Sequence, residues 1–411
     1  MKRINLDHHA ASPLLPEAWE AMMPFFIEKN GNPSSVHALG VIARDAIEKA
    51  REQVVRFMNA GEAAEIVFTS GGTEAVNTII RGMAALEGNA RGHFVCTAIE
   101  HPSVINTLHG LVRSGFRVTE VPVDSQGFVD PDEFEDAVEE KTILACLHHA
   151  NHDLGTIQKI EEITQRMNRI NIPVFMDCTY SGGWLPLDIE KTPIDFAAFS
   201  PFRFHGPNGV GFLYRKKGKL LRGLMTGGGQ ENGFRPGTEN VPAIVGAGVV
   251  AESAARNMKS RRQALFGLQN RLWAKLRDSI PSITLHGPSL GTGRISNNLN
   301  ISFDHTEGEG VVLLSDMQGV ACAAGSGCIS QELKISRVLE AIGVAPGSAK
   351  GNIILSIGKD LTENDIDHSV DVITQVVNKL RSMSPTWSES HQNQPNWKPK
   401  QSILKEFQTE K

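Results

Sequence analysis

The densest chemistry-bearing pattern in this 411-residue chain is Val67-Phe68-Thr69-Ser70-Gly71-Gly72-Thr73-Glu74. An apolar, strand-like run passes through small residues into a helix start. Small residues let backbone N–H groups approach an anion, the helix N-terminus adds a favourable dipole, and the Thr73 hydroxyl adds a donor. Taken alone, the pattern serves equally as a phosphate-binding loop and as an ordinary helix cap. Thiols are the second chemical resource. Cys96, Cys146, Cys178, Cys322 and Cys328 are odd in number and widely spaced, without a CxxC. They form neither a disulfide framework nor a zinc site. Cys96, Cys146 and Cys178 lie in apolar, strand-like runs and read as buried thiols. Cys328 sits instead in a Gly/Ser-rich stretch.

These residues need elements to hold them. Strands are expected at Glu65–Thr69, His93–Thr97, Arg117–Pro122, Thr142–His148, Pro173–Asp177, Asp195–Ser200 and Gly209–Tyr214, with helices such as Glu74–Leu86 and Ile160–Ile170 between them. The alternation predicts an α/β domain with a mostly parallel sheet, whose ligands bind at the carboxyl ends of the strands. A long helix is expected over Val241–Ser279. After it come strands at Asn297–Phe303 and Ile353–Ile357, a helix around Gly310–Gln318, and a last helix from Glu363 to about Met383. The expected organisation is an N-terminal segment (1–15) packing with the small domain, a large domain (16–255), a smaller C-terminal α+β domain (256–385), and a polar flexible tail (386–411).

Forty-one Lys and Arg against forty-six Asp and Glu give a net charge of −5. This supplies no basic surface, so direct nucleic-acid binding is not expected. No run approaches the ~20 apolar residues of a membrane span, and the start lacks an apolar signal core. The expected location is the cytoplasm.

Further segments line up in a characteristic order: Leu6-Asp7-His8-His9, Gly31-Asn32-Pro33-Ser34-Ser35-Val36-His37, Ser70-Gly71-Gly72-Thr73-Glu74, Glu100-His101, Asn151-His152-Asp153-Leu154-Gly155, Met176-Asp177-Cys178-Thr179, Gly227-Gly228-Gly229-Gln230-Glu231, Arg235-Pro236-Gly237-Thr238-Glu239-Asn240 and Gly325-Ser326-Gly327-Cys328. Over residues 3–386 the chain resembles the cysteine desulfurases of the NifS/IscS class, within the class V aminotransferase family. The resemblance implies a pyridoxal 5'-phosphate (PLP) fold of type I, a homodimer, and conversion of L-cysteine to L-alanine with the sulfur left as a persulfide on Cys328. It further implies that Asp177 pairs with the pyridinium nitrogen and that His101 stacks on the ring and moves protons. Gly72, Thr73 and Ser200 hold the phosphate, and Thr238 reaches it from the partner subunit. No metal site is expected, although Cys328 is a candidate iron–sulfur ligand.

The pattern breaks where catalysis would occur. Ser200-Pro201-Phe202-Arg203 stands where the family has Ser-x-His-Lys. Arg203 thus replaces the lysine that forms the Schiff base. A guanidinium stays protonated and is no comparable nucleophile. Phe202 replaces a phosphate-donating histidine, Tyr180 a glutamine near the ring hydroxyl, and His152 an asparagine near the substrate. In Ile354-Leu355-Ser356-Ile357-Gly358-Lys359, Ile354 replaces the arginine that grips the substrate carboxylate. Three expectations compete. The chain is a desulfurase relative with lost or impaired activity, acting as a sulfur carrier, scaffold or regulatory partner. Alternatively it is a working desulfurase with noncovalently held PLP and His205 or His152 as base. The third is a PLP-fold protein for a different substrate. The sulfur acceptor is not named by the sequence.

Overall fold

The computed structural model describes residues 3–62, 65–88, 91–325, 336–385 and 387. Cys328 lies outside the described residues, as does the segment expected as a tail apart from Trp387.

In chain order the strands are β1 (Ile4–Asn5), β2 (Ile66–Thr69), β3 (His93–Thr97), β4 (Arg117–Val121), β5 (Thr142–His148), β6 (Val174–Asp177), β7 (Phe196–Phe199), β8 (Gly211–Arg215), β9 (Ile283–His286), β10 (Asn298–Phe303), β11 (Val320–Ala321), β12 (Ala323–Ala324) and β13 (Asn352–Ser356). The helices are α1 (Pro16–Ile27), α2 (Ala38–Met58), α3 (Gly72–Ala84), α4 (Pro102–Val112), α5 (Pro131–Asp136), α6 (Ile160–Arg169), α7 (Val241–Ser279), α8 (Gly308–Met317), α9 (Arg337–Ala341), α10 (Pro346–Ala349) and α11 (Glu363–Ser382).

Strands β2 to β8 form one sheet in the order β2-β8-β7-β6-β5-β3-β4. β8 runs antiparallel to both of its neighbours, and β7, β6, β5, β3 and β4 are parallel. The strands read as unbroken apolar runs because both faces are covered. A period of two still divides them. Phe94 and Cys96 of β3, Phe175 of β6 and Leu213 of β8 join the α3–α4 side. Val95, Met176, Phe212 and Tyr214 join the side packed by α2, α6 and α7. The chain is therefore an α/β protein with a mostly parallel central sheet between helical layers. Cys96, Cys146, Cys178 and Cys322 are all buried.

A second sheet, β12-β13-β10-β9, is antiparallel throughout. β1 pairs in parallel with β11, and Asp7 bridges Ser356 of β13. Helix α7 serves both sheets. Its first half buries Ile244, Ala247, Val250 and Ala251 in the core shared with α1 and α2, and its second half buries Leu265, Leu272 and Leu276. There Gln269 donates to the carbonyls of Ile295 (2.9 Å) and Asn298 (2.7 Å). Trp387 packs over the Arg381 guanidinium and against His305. No helix among the described residues is long and apolar enough to cross a membrane.

Candidate active site

The parallel strands deliver their chemistry at one edge of the large sheet. At one end of the site, Thr69 closes β2 and its hydroxyl donates to the Gly71 carbonyl (3.0 Å). Gly71 caps α3 without any side-chain cap. The loop is pinned from two sides. A Cβ on Gly72 would stand 2.6 Å from Thr179 Cγ2 and 3.3 Å from Ser200 Cβ, and one on Gly211 would stand 2.4 Å from the Gly71 backbone. Thr73 stays exposed at this helix start, while Ser200 is buried, its carbonyl accepting from Arg203 N (3.1 Å) and its hydroxyl bonded to none of the described residues. Glu74 fastens the loop by accepting from Ser70 N (2.8 Å) and Arg235 Nε (3.0 Å). Burial pulls the Glu74 carboxyl up, but the Ser70 and Arg235 hydrogen bonds hold it below its usual range. Thr238 is exposed and lines a separate concavity of about 280 Å³ with Phe25, Phe26, Gly31 and Asn32.

Asp177 ends β6, is buried, and accepts from Thr179 N (2.9 Å). Burial pushes its carboxyl up. Behind it lies a hydrogen-bonded chain. Glu100 Oε1 accepts from Thr97 Oγ1 (2.6 Å) and meets His148 Nδ1 (2.7 Å), and Gln158 Nε2 stands 3.0 Å from His148 Nε2. Gln158 Oε1 accepts from Val129 N and Nε2 donates to the Gly127 carbonyl. The amide orientation is thus fixed, so His148 accepts at Nε2 and donates from Nδ1 to Glu100.

Four rings close the site. His101 and His152 meet edge to face with centroids 5.0 Å apart. Tyr180 lies 5.7 Å from His101, 5.4 Å from His152 and 5.7 Å from His9. The His101 ring caps α4, its Nδ1 accepting from Ser103 N (3.1 Å) and lying 2.7 Å from Ser103 Oγ. This leaves its Nε2 as the donor. Burial pushes His101 down to about 2, with His152 and Arg203 adding to it. Burial likewise takes His152 to about 3 and His9 to about 4, and lifts the Tyr180 hydroxyl to about 12. His9 and the buried Asn297 amide approach each other, yet neither completes a hydrogen bond of ordinary geometry.

Arg203 enters this ring cluster from the turn Pro201–Phe204. Its guanidinium carbon sits 3.9 Å above the Tyr180 ring and 4.9 Å from that of Phe202, and Nη1 donates to the His9 carbonyl. The Arg203 carbonyl accepts from Ser12 Oγ (3.0 Å) and Trp184 Nε1 (3.1 Å), which fixes the turn. His205 follows at φ 74°, with Nδ1 2.9 Å from the Pro13 carbonyl and its ring against Trp184. Its ring contacts among the described residues are Trp184 and His8, outside the Tyr180 ring cluster. Ile354 is buried in β13, opposite Asn300 and Ala323.

The structure therefore brings together Gly72 with Ser200, and His101 with His152, Tyr180 and Arg203. It adds His9, Asn297 and the Glu100–His148–Gln158 chain, whose roles the sequence did not assign. The doublet His8-His9 was the available signal for His9. The remaining members come from strands far apart in sequence.

These residues fit PLP at its two polar ends. The uncapped start of α3, with the Gly72 cradle and the unbonded Ser200 hydroxyl, suits a phosphate. The buried Asp177 carboxyl suits a ring nitrogen. At the third point Arg203 offers no amine for covalent attachment.

The class-V aminotransferase family model matches residues 4–368. The chain belongs to this family, in its cysteine desulfurase group. A cysteine desulfurase IscS of Dictyoglomus turgidum is 39% identical over 386 residues, covering 94% of this chain and 97% of the relative. Another from Methanosarcina thermophila is 39% identical over 384 residues, covering 93% and 94%. Among solved structures, a NifS-like protein superposes with a TM-score of 0.86 at 34% identity, covering 92% of this chain and all of that one. The desulfurase-type fold of this class-V member is thus established on sequence and structure together.

Proposed function

We propose that this chain is a cytoplasmic desulfurase-family protein of sulfur mobilisation whose own L-cysteine desulfurase chemistry is lost or strongly impaired. Arg203 carries the reading. Its guanidinium is held by Tyr180 and the His9 carbonyl, and a guanidinium is not the nucleophilic amine that a Schiff base needs. PLP, when bound, supplies an electron sink for bonds at the substrate Cα. Thr73, Gly72 and Ser200 would hold its phosphate, Asp177 its ring nitrogen, and His101 its ring face. His101 holds its proton on Nε2, and burial keeps it from gaining a second, so it is a weak base at neutral pH.

Cys328 is the proposed sulfur acceptor. The four described thiols support this choice from the other side. Burial raises Cys96, Cys146 and Cys178, and takes Cys322 to about 12, so none is a ready thiolate. The proposed assembly is a homodimer. Trp19, Met23, Phe26, Ile27, Leu39 and Ile42 leave large apolar side chains exposed on α1 and α2. Thr238 shares a concavity with Phe25 and Phe26, so a second copy seated there would meet it. The dimer would act with a sulfur-acceptor or scaffold protein.

The test is sulfide release from purified protein given PLP, L-cysteine and a reductant. The expected outcome is sulfide no faster than a boiled control. Arg203→Lys should bind PLP covalently, read as a borohydride-fixed mass increment absent from the wild type. Sulfide release by the wild type, abolished in Cys328→Ser, refutes the proposal. It would favour the second reading, an active desulfurase with noncovalent PLP, which the Gly72–Ser200 cradle and the buried Asp177 support.

A further inference from the structure

Arg203 is half-buried and its charge has no counterion among the described residues. No carboxylate among the described residues comes within ion-pair distance of the guanidinium. Asp7 feels the charge without pairing to it. His9, His101 and His152 offer no negative charge in either protonation state, and burial, with Arg203 a lesser cause in each, pushes all three below their ordinary range. Tyr180 covers one face of the guanidinium plane and the His9 carbonyl takes Nη1. Nε and Nη2 therefore present a free edge of donors. A cation in a partly dry pocket is costly unless an anion accompanies it.

We propose that Arg203 is the binding group for a small carboxylate ligand, seated on the free guanidinium edge beside Tyr180. A planar carboxylate matches that edge with two parallel charge-assisted hydrogen bonds. The neighbouring His101 adds a third donor. Its Nδ1 is occupied by Ser103, so its proton lies on Nε2 and is available to the same anion. Arg203 is fixed for this task, because its backbone carbonyl is tied to Ser12 and Trp184 and its side chain is stacked on Tyr180. Ile354, at the expected carboxylate-binding position, is buried and apolar. The inference rests on the reading that residue 203 makes no covalent bond to a ligand, and it holds whether or not the chain turns over cysteine.

Calorimetric titration of the full chain with L-serine and with L-serinamide tests it. The two probes share the amine and hydroxyl, and only serine has the carboxylate. Serine should bind at least about tenfold more tightly, the loss expected when a bidentate charge-assisted pair goes missing. Arg203→Met should reduce serine to the level of serinamide, and Arg203→Lys should keep part of the preference. Equal binding of the two probes, binding of neither, or full serine affinity in Arg203→Met overturns the proposal. If Arg203→Met does not fold, the ratio of the two probes on the wild type decides. Sulfide release by the wild type would defeat the functional proposal without touching this one. Equal binding in a protein that releases no sulfide would do the reverse.

Discussion

Glu231→Gln should destabilise the protein far more than Glu48→Gln, although both carboxylates contact Arg51. Glu231 closes a bidentate pair, with Arg51 Nη2 at 2.8 Å from Oε1 and Nη1 at 2.9 Å from Oε2. Its Oε2 also accepts from Phe68 N at 2.7 Å. Both partners are dry, with side chains 8% and 3% exposed. Glu48 lies 3.3 Å from the same guanidinium but is 54% exposed. Burial works against the Arg51 charge, and Glu231 with Glu48 still carries it above its usual value. Glutamine at 231 would leave a buried cation without its main counterion and turn an amide N–H₂ toward a donor. Removing one partner of such a pair costs about 3 kcal/mol or more, which on a chain of this size lowers Tm by roughly 3–5 °C. An exposed partner like Glu48 contributes at most about 0.5–1 kcal/mol. Paired thermal and urea unfolding of the two variants measures the difference. Hydrogen exchange should show the Phe68 amide losing protection in Glu231→Gln alone. Equal destabilisation by the two variants would refute the reasoning that burial decides the strength of this pair.

Gly72→Ala should displace Thr179 and Ser200, destabilise by about 1–3 kcal/mol, and weaken inorganic phosphate binding, measured by calorimetry against the unaltered chain. Stability should fall on acidification from pH 7 to 5. His9, His149, His205 and His286 stand at about 4, His152 at about 3 and His101 at about 2, all below the ordinary 6.5, with burial the first cause in each. The unfolded chain therefore takes up protons first. Their contribution is complete above pH 6.5 and is lost as pH falls toward 4, each group adding up to about 1.4 kcal/mol per pH unit. Asp153, raised by burial to about 6, works oppositely, favouring the fold below pH 4 and losing that contribution as pH rises through 6. Asp7 and Asp177 are raised as well, and His8 and His93 lowered, so eight histidines oppose three aspartates, and a urea midpoint that stays flat or rises between pH 7 and 5 would contradict this balance. In Asp153→Asn the acid loss should steepen.

Much of the scaffold is legible in the sequence because its signals are local. β3, β5 and α7 occupy the expected spans, since apolar runs and an unbroken helical stretch each carry one period. Strand ends shift where side chains take over backbone duties. Asp195, expected in β7, instead accepts from Val174 N through its carboxylate (2.9 Å). Helices α1 and α2 escape notice for different reasons. α1 contains Pro24, and α2 has mean hydropathy near zero with its cap supplied by His37 rather than a Ser, Thr, Asp or Asn. The site divides in the same way. Gly72, Asp177 and Arg203 are marked by position in an ordered motif. His101, His152 and Tyr180 are marked in the same way, but their contacts with one another and with His9 are not, because those arise only through tertiary packing. Their perturbed protonation follows from burial, which no spacing encodes.

The continuity of α7 has a mechanical meaning. At about 1.5 Å per residue, its 39 residues make a rod of roughly 58 Å. One end is clamped in the core of the large sheet and the other grips β10 through Gln269. Between Ala255 and Ala264 no residue is buried. The candidate site draws on both sheets: Tyr180, just after β6, meets His9, which in turn approaches Asn297 at the start of β10. The rod's anchors in that stretch are Met258 against the core and Arg261 over Trp184. Bending of the helix there is the motion that would shift one sheet's contribution to the site against the other's.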